Sequence, residues 1–110
     1  MAGTPQAAVT GFYQRAAAKD FNGAWALATP RAQSQVGGFN SWKAGEQDLT
    51  GFSFPKLQVM RQSGDSATVS FQSLAKHADR TDHCSGTIDT VRQGGGWMVD
   101  QLHIAACSRG

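Results

Sequence analysis

The stretch that decides the fold is the last quarter of the chain, His83 to Cys107, H-C-S-G-T-I-D-T-V-R-Q-G-G-G-W-M-V-D-Q-L-H-I-A-A-C. Ser85 to Arg92 is rich in Thr, Ile and Val. Gly94-Gly95-Gly96 supplies a turn with free φ, and Trp97 to Ala105 is again β-prone and apolar, so the segment reads as a hairpin. A turn on Gly95-Gly96 sets Cys84 opposite Cys107. A turn on Gly94-Gly95 leaves the two cysteines diagonal, near enough for a bulge to bring them together. Either register predicts one disulfide.

Outward from the hairpin, the preceding half of the chain is also extended. Phe52 and Phe54 alternate, Pro55 interrupts as at an edge or bulge, and Leu57 to Gln62 resumes as a strand. Ser63-Gly64-Asp65 turns into a long strand in which Ala67, Val69, Phe71, Ser73 and Ala75 share one face. A second turn, at Ala78 to Thr81, leads into the hairpin. The short connections predict an antiparallel meander. In the last strand Trp97 and Val99 have one parity and Leu102 and Ile104 the other, which a bulge near Asp100-Gln101 reconciles.

The first 46 residues are helical in pattern. Thr4-Pro5 is a cap followed by proline at the first helical position. Ala8, Val9, Phe12, Tyr13, Ala16 and Ala17 then recur at helical spacing. Gly11 inside this helix implies a close contact. Asp20 to Gly23 breaks the pattern, Ala24 to Ala28 is expected as a short second helix, and Thr29-Pro30 repeats the cap to open a third over Arg31 to Val36. Phe39 to Gly45 reads as a further helical turn or an ordered loop. Helices followed by a meander make an α+β fold, with the long helix across the concave face of a curved antiparallel sheet. Phe12 and Trp97 are expected to meet in one core.

The chain has 110 residues, of which 40% are hydrophobic, enough for one domain spanning 1–110 and too few for two. Ten Lys and Arg against eight Asp and Glu, with no run of like charge, exclude a nucleic-acid groove or an anionic-membrane face. Glu46 is the sole glutamate. Two cysteines without C-x-x-C spacing suit neither a zinc set nor a dithiol redox site, and a structural disulfide implies an oxidising compartment. The competing account is a pair of buried free thiols in a reducing one. No stretch approaches the roughly 18 apolar residues of a membrane span, so any membrane attachment is expected from an anchor upstream of Met1.

With these features in place, the chain resembles the NTF2-like (SnoaL-like, cystatin-like cone) superfamily. The matching stretches are F-Y-x-x-A-A-A-K-D-F-N-G-A-W-A-L-A-T-P from Phe12, F-N-S-W-K-A-G from Phe39, and G-G-G-W-M-V-D from Gly94. It is especially similar to small extracytoplasmic domains of actinobacterial membrane proteins, lipoproteins and Ser/Thr kinases. The resemblance implies N-terminal helices packed on a sheet that closes into a cone. It implies no single activity, because the superfamily holds isomerases, dehydratases and cyclases beside binding and scaffold domains.

The expected ligand-pocket residues are Tyr13, Phe12, Trp25, Trp42, Phe71, Trp97 and His103. Tyr13 and His103 are the only ionisable groups expected inside the cone, a poor acid–base pair without a carboxylate. Asp100 is expected at the bulge or in solvent, and Asp89 is treated alike. A turn centred on Arg80 would set His77 opposite His83 near Asp79 or Asp82, but two loop histidines do not make a metal site, and none is expected. Gly94 to Gly96 precedes a strand and lacks a following Lys-Ser or Lys-Thr, so no phosphate loop and no cofactor is expected. The expected function is a non-catalytic extracytoplasmic domain of a larger secreted or membrane-anchored protein. Its partner would be an apolar small molecule, a protein, or a second copy through the sheet. The rival is a small SnoaL-like or ketosteroid-isomerase-like enzyme acting on an apolar substrate.

Overall fold

The structure is a computed structural model that describes residues 2–109; Met1 and Gly110, the ends of the expected 1–110 unit, lie outside the described residues. Four helices precede four strands. They are α1 (Pro5–Ala17), α2 (Phe21–Trp25), α3 (Pro30–Gln35), α4 (Phe39–Gly45), β1 (Leu49–Ser63), β2 (Ser66–His77), β3 (Thr81–Gln93) and β4 (Gly96–Arg109). The strands form one antiparallel sheet in the order β1-β2-β3-β4, the expected meander.

Local chemistry fixes the helix starts. The Thr4 hydroxyl accepts from the Ala7 N–H, and the Thr29 hydroxyl accepts from Ala32, each with proline at the next position. The expected second helix over Ala24 to Ala28 is displaced by the Asp20 carboxylate. That group accepts from the Gly23 N–H and starts α2 at Phe21. Gly11 has the close contact its place in α1 implied, since a Cβ there would stand 2.8 Å from Leu27 Cδ1.

The hairpin turns on Gly94 and Gly95, both at positive φ. Arg92 pairs with Trp97 and Thr90 with Val99 in that register. Asp100 is then unpaired as a bulge, as the parity change required, and a second bulge follows at Ala105, because Gly86 pairs with Ile104 and Ser85 with Ala106. Two extra residues on β4 bring Cys84 opposite Cys107, and the disulfide forms. Gly86 permits the second bulge, since a Cβ there would run into the His103 carbonyl and stand 2.9 Å from the Ala105 nitrogen. Gly86→Ala should therefore cost about 1–3 kcal/mol in urea unfolding, because the obstacle is backbone. An unchanged midpoint would mean that the strands separate freely here.

Burial on β2 alternates as expected, with Ala67, Val69, Phe71, Ser73 and Ala75 all buried on the face under the helices. Val9, Phe12, Trp42, Leu49, Val69, Ile88 and Val99 are among the main core residues. Trp97 is buried but does not join Phe12. It packs with Ala2, Ala8 and Ala67 in a second cluster, correcting the expectation of one core. Trp97 stands at the start of β4, level with the first turn of α1, and Phe12 lies a turn further along that helix. Leu27 packs against both clusters.

The free edge of β4 is covered over its first half. Trp97 donates to the Ala2 carbonyl, Val99 donates to Leu27 and accepts from Thr29, and the Gln35 side-chain amide both accepts from and donates to the Leu102 backbone.

Candidate functional site

Between the helix layer and the far end of the sheet lies a cleft of about 170 Å³, lined by Tyr13, Glu46, Phe52, Phe71, Ser73, Ala75, His77, Asp82, Cys84 and Ile104. Larger depressions of about 390 and 320 Å³ run beside Asp89 and Asp100 and beside the disulfide, but neither includes an aromatic residue. A third, also about 320 Å³, borders Trp97 and Arg15 at the helix end of β4. In the cleft, aromatic walls meet ionisable groups.

Its apolar wall starts from α1. The Tyr13 ring stacks on Phe52, centroids 4.5 Å apart and 12° from parallel, and meets Phe54 edge-on. Phe54 in turn abuts Phe71. The β1 register shifts between Ser53 and Lys56, at Pro55, the interruption that the proline implied.

The polar side comes from the turns. Lys19, two residues past α1, is in left-handed backbone (φ 68°), and its ammonium donates to the carbonyls of Glu46, Gln47 and Leu49 at 3.1, 2.7 and 2.6 Å. This fixes the segment that carries Glu46 and Asp48. His77 Nδ1 lies 2.8 Å from Asp48 Oδ1 and its Nε2 3.4 Å from Asp82 Oδ2, with its side chain only 8% exposed. Arg80 braces Asp82 at 3.2 Å, Asp79 at 3.3 Å and Asp48 at 3.8 Å. The hydrogen bond from His77 is the main reason that the Asp48 carboxyl is held below its ordinary value.

Glu46 and Tyr13 differ from these paired groups, since neither side chain makes a hydrogen bond among the described residues. Burial pushes the Glu46 carboxyl above its ordinary value against the pull of His77 and Lys19, with Asp48 adding to the rise. Burial first, and then the Glu46 charge, push the Tyr13 hydroxyl far up. Because the folded state holds the Glu46 proton more tightly than the unfolded chain, ionising it costs stability as pH rises from its ordinary 4.5 through the raised value. Glu46→Gln should then be more stable than the parent at neutral pH, with the gap closing below pH 4.5. Thermal melts of the pair across pH test this; a gap that widens on acidification would reverse the sign of the Glu46 contribution.

Of the expected pocket residues, the cleft brings together Tyr13 and Phe71. Phe12 and Trp42 stack with each other in the core beneath it, and Trp25 packs against Phe39 and Trp42 within the helix layer. Trp97 belongs to the second cluster. His103 is corrected to the opposite sheet face, where its Nε2 meets Asp89 Oδ2 at 3.0 Å and Asp89 accepts from Thr68. The bulge at Asp100 shifts β4 parity and carries His103 outward. Asp100 accepts from the Thr29 hydroxyl, so it holds α3 on the bulge.

His77 and His83 do not face each other. The turn is centred between Ala78 and Asp79, which pairs His83 with Leu74. Among the described residues, no group of three or more His, Cys, Asp and Glu side chains could hold a metal ion. Sequence reasoning missed Glu46, His77 and Asp82 as cone residues. The one signal was that Glu46 is the only glutamate of the chain.

No protein-family model and no curated protein sequence matches the chain. Solved structures do. Bd1075 of Bdellovibrio bacteriovorus superposes with a TM-score of 0.65 over 83% of this chain at 12% identity, and the chain spans 35% of its length. A candidate aromatic ring hydroxylase from Novosphingobium aromaticivorans superposes with a TM-score of 0.55 at 14% identity, over 96% of this chain and 93% of that one. At such identities the likeness concerns the fold, which is α+β, with N-terminal helices packed on a curved antiparallel sheet that forms an NTF2-like cone.

Proposed function

We propose that residues 1–110 form one NTF2-like domain that binds, without turning it over, a small and largely apolar molecule in the cone. The domain would be the extracytoplasmic part of a larger secreted or membrane-anchored protein. The observation that carries the binding reading is the cleft itself, walled by Tyr13, Phe52, Phe71, Ala75 and Ile104 and about 170 Å³ in volume, room for a single ring or a branched chain. The Cys84–Cys107 bond supports an oxidising compartment. No helix among the described residues is long and apolar enough to cross a membrane, so attachment would come from elsewhere in the protein.

A second reading, a small acid–base enzyme of SnoaL-like type, draws on one observation. Tyr13 and Glu46 border one cleft, and burial raises both of their proton affinities. Against it, both nitrogens of His77, the histidine of the cleft lining, already face carboxylates, which leaves no unengaged imidazole in that lining to act as a base. A thermal-shift screen of small apolar compounds, followed by product analysis, separates the two. Binding should be lost in Phe52→Ala, with no product formed. A reaction that Tyr13→Phe or Glu46→Gln abolishes at an unchanged melting temperature would replace binding with catalysis.

A further inference from the structure

Resting on the binding reading above, we propose that the cone's ligand is an organic ammonium: an apolar body, aromatic or branched, whose protonated amine pairs with Glu46 against the rings of Tyr13 and Phe52.

The basic groups around Glu46, Asp48 and His77 are already engaged. Lys19 is spent on three backbone carbonyls, Arg80 on Asp79, Asp82 and Asp48, and His77 on Asp48 and Asp82. The Glu46 carboxylate has no partner among the described residues, although it is only partly exposed. A half-buried carboxylate without a hydrogen-bond partner is costly, and a ligand ammonium in direct contact offsets that cost more than Lys19 and His77, which act on Glu46 only through space. The balance of charge points the same way. The charged residues that line the cleft are Glu46, Asp82 and His77, so the lining stays negative even with the imidazole protonated. An anionic ligand would meet repulsion here, and a neutral one would leave Glu46 unpaired.

The aromatic wall takes the apolar body, with Phe71, Ala75 and Ile104 beside the stacked Tyr13 and Phe52 rings.

The test uses matched probes on the folded protein: benzyl, 2-phenylethyl and cyclohexylmethyl groups, each as amine, alcohol and carboxylate. Binding is followed by NMR titration at neutral pH. The amine of the best-fitting set should bind about tenfold or more tightly than its alcohol, and its affinity should fall as salt is raised while that of the alcohol does not. Glu46→Gln should abolish the preference and keep the alcohol's affinity, whereas Asp79→Asn, on the exposed turn, should leave the preference intact. An alcohol or carboxylate that binds as well as the amine, or a preference that survives Glu46→Gln, overturns the ammonium assignment and leaves cone binding standing. If no probe perturbs the cleft residues, the binding reading and the ammonium assignment fall together.

Discussion

Phe12→Ala and Trp97→Ala should each lower unfolding stability by roughly 3–5 kcal/mol, the cost of emptying a buried aromatic site. Both rings are almost fully removed from solvent, at 1% and 4% exposure. They sit in different clusters that meet only through the partly buried Leu27 and Val59, so their losses should add apart from the small coupling those two side chains carry. Because a domain of this size has only about 5–15 kcal/mol in hand, additivity is better measured with the milder Phe12→Leu and Trp97→Phe. Chemical denaturation of the two single variants and the double should show a coupling below about 0.5 kcal/mol. A coupling above about 1 kcal/mol would mean that α1 and the start of β4 share one core after all. A loss below about 1 kcal/mol for Trp97→Ala would place that ring on the surface and undo the packing of helix on sheet.

Removing the disulfide, by Cys84→Ser with Cys107→Ser, should cost roughly 3 kcal/mol through the freedom restored to the unfolded chain. The bond also has a local role. It holds β4 beyond the Ala105 bulge, and Cys84 and Ile104 both line the cleft. Faster amide hydrogen exchange should therefore appear from Ile104 to Arg109 and spare Trp97 to Leu102, whose edge is held by Ala2, Leu27, Thr29 and Gln35. Mass spectrometry of the non-reduced protein checks the bond itself. Two free thiols in protein exported to an oxidising compartment would remove both the staple and the argument for that compartment.

The sequence by itself determined most features that rest on neighbours along the chain, the exception being α2, which the Asp20 cap starts at Phe21. Thr4-Pro5 and Thr29-Pro30 start helices because cap and proline act within one turn. The β2 face follows from strict alternation, and the bulge at Asp100 from a parity change within a single strand. The disulfide was legible because two turn registers led to the same pair. Tertiary structure alone decided what depends on register between strands and on where the turns sit. The Ala105 bulge exists because Gly86, on the neighbouring strand, has no side chain to oppose it. Shifting the β2–β3 turn to Ala78-Asp79 separated His77 from His83 and turned His77 toward Asp48 and Asp82. Glu46 entered the cone because Lys19, 27 residues earlier, ties down the backbone that carries it. Glu46, His77 and Asp82 come from three separate turns or strand ends, and no periodicity within one element brings such positions together.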